Sequence, residues 1–190
     1  MRLAIFGGTF DPVHNAHLAV AREAASRFQL DCVWFVPAER PPHKAGVTHA
    51  PYADRYRMVE LACHDEPKFE ESRLEEGTLC SYSIDTIERV RARLAPGDEL
   101  FFLIGADAFA EIETWRRWHD VVLAVEFIVV SRPGHRYAIP QGAQVQRLET
   151  VDLPVSSSEI RRRLAGGDHR VEVPAAVLEY IRTRELYGAR

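Results

Sequence analysis

The stretch "LAIFGGTFDPVHNAH", Leu3 to His17, sets a short apolar run against a loop that holds two glycines, an Asp, a Pro and two histidines. An apolar run stopped by Gly7-Gly8 reads as a strand buried on both faces, as strands of parallel sheets are. Past the loop, Leu18, Ala21, Ala25 and Phe28 recur at helical spacing, and "CVWFV" reads as a second strand. Strand, helix, strand opens a βαβ unit, and it predicts an α/β fold: a doubly wound, mostly parallel sheet with helices on both faces.

The rest of the chain keeps that alternation. A helix is expected over Tyr52 to Cys63, then a strand of polar edge character in "KFEESRLE". Ile84, Ile87, Val90 and Leu94 mark the next helix, stopped by Pro96-Gly97, before the apolar strand "ELFFLIG". A helical or irregular segment, "ADAFAEIETWRRWHDVVLAV", leads to the strand "FIVVS" and, past Pro133-Gly134, to a weaker one near "VQRLETVDL". Two helices close the chain. Ser156 with Glu159 gives the first a capping box, Gly166-Gly167 can end it, and Pro174 suits the first turn of the second.

Bulk properties bound the possibilities. A chain of 190 residues fits one domain, 1–190. With 24 basic and 28 acidic residues the net charge is -4, the wrong sign for a general nucleic-acid binder. Cys32, Cys63 and Cys80 are odd in number and form no CxxC pair, which points to a reducing setting. No apolar run suits a signal peptide or a membrane span, so a cytoplasmic protein with no membrane partner is expected.

The loop itself can then be read. In an open parallel sheet ligands sit beyond the carboxyl ends of the strands, where Gly7-Gly8 let a ligand approach the backbone. Asn15 is the expected cap of the following helix, whose N–H groups and dipole favour an anion, phosphate above all. Neither GxxxxGK[ST] nor GxGxxG is present in this turn. Instead His14 and His17 share one face, and imidazoles can donate hydrogen bonds to phosphate oxygens. The alternatives are a tight turn with surface histidines, or two metal ligands joined by Asp11; no third His or Cys lies close enough in sequence to favour zinc.

The ordered combination "GGTFDPVHNAH" resembles the GGTFDPxHxGH signature of the nucleotidylyltransferase superfamily, whose members are Rossmann-like. "VSSSEIRRRL" is similar to its ISSTxIR motif. "PAERPPHK", "SYSIDTI" and "IGADAFAEIETW" followed by Arg116, Arg117 and Trp118 resemble the bacterial nicotinate mononucleotide adenylyltransferases over nearly the whole chain. The resemblance implies transfer of the adenylyl group of ATP to nicotinate mononucleotide, giving nicotinate adenine dinucleotide and pyrophosphate in NAD biosynthesis. It also implies Mg²⁺ bound through the ATP phosphates, and no metal site of the chain's own.

The same resemblance assigns residues. His14, His17 and Arg161 are the catalytic candidates. Gly7, Gly8, Thr9, Phe10, Gly105, Asp107, Ser156 and Ser157 are the ATP-binding candidates, and the helical part from about 156 to 190 completes that site. Lys44, Ser83, Trp115 and Arg116 would bind nicotinate mononucleotide, with Trp115 stacking on the pyridine ring and Ser83 and the Arg116 N–H meeting its carboxylate. Arg162 and Arg163 read as a solvated helix face, and Trp118 and Trp34 as core. The segment from Arg40 to Thr48 is a candidate mobile element. Two positions depart from the family pattern, Ala16 for Gly and Ser158 for Thr. An acceptor such as nicotinamide mononucleotide, or a nucleotide-binding regulator without turnover, is the competing reading, and a homo-oligomer stays open.

Overall fold

The computed structural model describes residues 1–41, 48–150 and 155–189. Lys44, and with it most of the segment from Arg40 to Thr48, lies outside the described residues. Strand β1 (Arg2–Gly8) leads through the glycine loop to α1 (Asn15–Arg27) and β2 (Cys32–Pro37). Then come α2 (Tyr52–Cys63), β3 (Phe69–Glu71), α3 (Ser83–Arg91) and β4 (Glu99–Gly105). A short α4 (Ala106–Ala110) and a 3-10 turn precede α5 (Trp118–Ala124), β5 (Glu126–Ser131) and β6 (Gln144–Glu149). Helices α6 (Ser157–Ala165) and α7 (Ala175–Thr183) follow.

The strands form one sheet in the order β3-β2-β1-β4-β5-β6, and every pairing is parallel. The winding reverses at β1, so β2 and β4 flank it and a crevice opens where the β1 and β4 chains leave in opposite directions. Residues alternate across the sheet with period two. Ala4, Phe35, Phe101, Leu103 and Ile128 pack under α1, α2, α6 and α7, whereas Leu3, Ile5, Phe102, Ile104, Phe127 and Val129 pack under α3, α4 and α5. Both faces are therefore covered, which is why the strands read as continuous apolar runs.

Local differences from the sequence reading have tertiary causes. Strand β3 keeps only three of the residues in "KFEESRLE", pairing with Val33, Trp34 and Phe35. Helix α3 ends at Arg91 instead of running on to Leu94, with Ala92 as its C-cap. Pro174 is the N-cap of α7, one position before the first turn. Trp34 is half-buried and its indole N–H donates to Glu70 Oε2 at 2.9 Å, so it belongs to the rim of the sheet more than to the core. No described helix is long and apolar enough to cross a membrane.

Candidate active site

The crevice is built from the end of β1. Gly8 is required because a Cβ there would come within 2.9 Å of the Phe10 ring, which folds back beneath it. Phe10 has a positive φ of 49°, and its buried ring makes edge contacts with Phe6 and His17. The Phe10 side chain thus supports the loop from below while Gly7, Gly8 and Thr9 stay accessible. The cap of α1 is His14, not Asn15: the Asn15 N–H donates to Glu172 O at 2.8 Å, which draws the residue into the helix.

His14 and His17 lie stacked with ring centroids 3.7 Å apart. The backbone N–H of His14 donates to His17 Nδ1 at 3.2 Å, so that nitrogen accepts and the His17 proton belongs on Nε2. Burial lowers the His14 pKa to about 4, although the nearby Glu172 charge pulls the other way. His17 is likewise held well below the usual histidine range, first by burial and then by His14. Both rings are accordingly neutral near pH 7.

The C-terminal helices clasp this loop. Ser156 caps α6 by accepting the Glu159 N–H at 3.2 Å. Ser157 Oγ donates to Pro12 O at 3.0 Å, and Arg161 donates to Asp11 O at 2.7 Å and Ser158 Oγ at 3.1 Å. Arg161 therefore leans on the loop, while Arg162 is exposed beside Glu159. Arg163 departs from the solvated-face expectation: its side chain is 23% exposed and pairs with Asp168 and Glu172.

Two residues outside the assigned candidates hold the loops together: Asp11, weighed from sequence only as a metal ligand, and Arg55. Asp11 accepts from the N–H groups of His49 and Ala50 and from the Tyr187 hydroxyl. Arg55, 1% exposed, donates to the carbonyls of Thr9, Glu39 and Ala50. The signal for Arg55 was present, since it lies on the apolar stripe of α2 with Met58, Val59 and Ala62. Asp11 is already committed to three donors, and among the described residues no group of three or more His, Cys, Asp or Glu could hold a metal ion.

Two clefts open at the carboxyl edge of the sheet. One, of about 410 Å³, has Gly7, Gly8 and Thr9 as its floor and Ser83, Trp115 and Arg116 in its wall. Trp115 is set edge-on to Phe102 at 6.1 Å, and the Arg116 guanidinium lies 4.6 Å over the Tyr82 ring. Ser83 opens α3, where its backbone N–H is among those a helix start leaves without an internal partner. Arg117, in the left-handed region at φ 52°, turns the chain into α5 and pairs with Glu88 and Asp120. Trp118 stacks on His119 and packs partly into the core. The other cleft, of about 580 Å³, is lined by Ala16, Gly105, Asp107, Ser131, His135 and Thr150 among others. Gly105 is the cap of α4, and Asp107 stands in its first turn.

The parallel order, the glycine loop at the reversal of winding and the clasped helix start with its two histidines define an α/β domain whose crevice suits an anionic, phosphate-bearing ligand. Residues 5–163 match the cytidylyltransferase-like family. A probable nicotinate-nucleotide adenylyltransferase of Solibacter usitatus is 67% identical over 188 residues, covering 99% of this chain and 100% of that one. A probable nicotinate-nucleotide adenylyltransferase of Thermus thermophilus is 43% identical over 190 residues, covering 98% and 100%. The chain belongs to the nicotinate-nucleotide adenylyltransferase family of cytidylyltransferase-like proteins. In fold it is similar to Plasmodium falciparum nicotinic acid mononucleotide adenylyltransferase complexed with NaAD, with a TM-score of 0.80 at 20% identity, covering 100% of this chain and 98% of that one.

Proposed function

We propose that the chain transfers the adenylyl group of ATP to nicotinate mononucleotide, giving nicotinate adenine dinucleotide and pyrophosphate. One observation carries the reading: the cleft floored by Gly7, Gly8 and Thr9 opens from the same loop on which two stacked imidazoles, a helix N-terminus and Arg161 converge. The reaction joins a phosphate oxygen of the mononucleotide to the α-phosphorus of ATP as the bond from that phosphorus to the β-bridging oxygen breaks. The attacking phosphate is ionised at neutral pH, so no base has to remove a proton. The work left to the protein is alignment of two anions and stabilisation of charge.

His14 and His17, as neutral rings, supply N–H donors toward the α-phosphate, with His17 Nε2–H aligned by the His14 backbone. Arg161 spends two of its nitrogens on Asp11 and Ser158 and keeps N–H groups for the leaving pyrophosphate. Ser156 and Ser157 stand at the α6 N-terminus, whose dipole suits the same anion. Gly105 and Asp107 serve the adenosine part, the carboxylate accepting from ribose hydroxyls. Trp115, Ser83 and the Arg116 N–H serve the nicotinate ring, and Lys44 adds positive field.

The donor set suits a magnesium ion carried by phosphate oxygens and water better than a protein-held one, because the nearby carboxylate Asp11 is spent on hydrogen bonds. The ion's part is neutralisation of triphosphate charge. The test is pyrophosphate release from ATP and Mg²⁺ with nicotinate mononucleotide, nicotinamide mononucleotide and phosphopantetheine offered separately. Strong preference for the first supports the reading; preference for another keeps the chemistry and replaces the acceptor. ATP binding without release from any of the three favours a regulator. In the same assay Trp115→Ala is expected to raise the KM for the mononucleotide about tenfold, the scale of a lost stacking contact, with the KM for ATP little changed. Equal rises would remove Trp115 from the acceptor side.

A further inference from the structure

Glu75 is a carboxylic acid that the adenylyl transfer does not use, yet it is 6% exposed and lies in the wall of the cleft that holds Trp115 and Ser83. Its Oε1 accepts from the buried Thr86 hydroxyl at 2.6 Å, in the first turns of α3. Just before that helix, Ser81 and Arg40 are joined twice: the Ser81 N–H donates to Arg40 O and the Arg40 N–H to Ser81 Oγ, each at 3.0 Å. The main chain of Glu75 is anchored as well, its carbonyl accepting from the Thr78 hydroxyl at 2.7 Å. Arg89 of α3 donates to the neighbouring Leu74 carbonyl at 2.9 Å. The segment after β2, the start of α3 and the Glu75 carboxyl thus form one connected wall.

A merely structural bridge would not call for this residue. Burying a carboxyl is costly even where hydroxyls stand near it. Burial pushes the Glu75 pKa up, against the Ser81 and Thr86 hydroxyls, the Glu39 N–H and the Arg89 charge. An acid kept at that cost beside the acceptor has a task there.

We propose that Glu75 is a positioning residue for the mononucleotide: through Thr86 and Ser81 it fixes the start of α3 against the Glu39–Arg40 segment, and so sets where Ser83 meets the ring carboxylate. The proposal rests on the reading of this cleft as the acceptor site. Steady-state kinetics with each substrate varied in turn, alongside melting temperatures, test it in Glu75→Ala, Glu75→Asp and Glu75→Gln, with Trp115→Ala as the control for the cleft. Glu75→Ala is expected to raise the KM for nicotinate mononucleotide about tenfold with the KM for ATP within about twofold. Glu75→Asp, one methylene short of Thr86, should lie between. Glu75→Gln, which keeps an oxygen for the Thr86 hydroxyl at the same reach, should recover most of the loss. An unchanged mononucleotide KM in Glu75→Ala while Trp115→Ala raises it overturns the proposal and leaves the cleft reading standing. Equal rises for both substrates reduce Glu75 to a structural part. If neither variant moves the mononucleotide KM, the cleft is not the acceptor site and the proposal falls with it. Should the Ala variant fail to fold, Glu75→Asp decides: an unmoved mononucleotide KM there overturns the proposal.

Discussion

The two histidines owe their chemistry to burial. An imidazolium at His14 would lose its hydration, and the Glu172 charge does not make up the loss, so the fold selects the neutral ring and lowers the pKa to about 4, against about 6.5 for a free histidine. Because the folded value lies below the unfolded one, the associated stability is present above pH 6.5 and is lost as the pH falls toward 4. The full shift corresponds to roughly 3 kcal/mol. Carboxylates titrate in part of the same range, so the informative quantity is the difference between the protein and His14→Gln. The melting temperature of the wild-type chain should fall more steeply between pH 6.5 and pH 4.5 than that of the variant. Parallel slopes would mean that His14 takes up its proton as readily in the fold as out of it.

At the scale of the element, α6 shows how one short helix serves both core and site. Ile160 and Leu164 are fully buried, and the same helix turns Ser157 and Arg161 toward the carbonyls of Pro12 and Asp11. The planar fork of Arg161 can hold the loop and a phosphate at once, which a lysine, a point charge on a flexible stem, cannot. Arg161→Lys is therefore expected to lower kcat about a hundredfold while the melting temperature moves by only a few degrees; kinetics and thermal denaturation read both. Retention of wild-type kcat would show that charge alone suffices. Local signals made much of this element legible in advance: the Ser156 cap and the Gly166 end follow from side chains within one turn. What separated Arg161 from Arg163 was not local, because it depends on Asp11 across the fold and on Asp168 and Glu172 beyond the helix. The same holds for the α1 cap, which moves from Asn15 to His14 because a carbonyl distant in sequence, that of Glu172, takes the Asn15 N–H. Long apolar strands such as β4 were readable from composition alone, whereas β3, bounded by charged residues, owes its three residues to pairing with β2.

Across the whole molecule, the carboxyl edge of the sheet is a set of loops that would be separate surfaces without two buried ionisable residues. Asp11 joins the first loop to residues 49 and 50 and to Tyr187 near the end of the described chain. Arg55 joins Thr9, Glu39 and Ala50 through backbone carbonyls alone, with the Asp11 charge the largest of those that favour its ionised form. Thr9 belongs to the floor of the cleft lined by Trp115 and Ser83 and Glu39 adjoins its wall, so the guanidinium sets the distance between these two sides of the cleft. Arg55→Met fills most of the volume but leaves three carbonyls without their donor. Each unsatisfied group costs about 1–3 kcal/mol, less where water can enter. A loss of roughly 3–5 kcal/mol of stability is therefore expected in urea unfolding. Because Thr9 belongs to the glycine loop that both substrates are proposed to approach, kcat/KM should fall for both substrates in the folded variant, in contrast to the one-sided effect of Trp115→Ala. A loss below about 1 kcal/mol would mean that water replaces the guanidinium at little cost. The loops would then be held in place by Asp11 and the core beneath them.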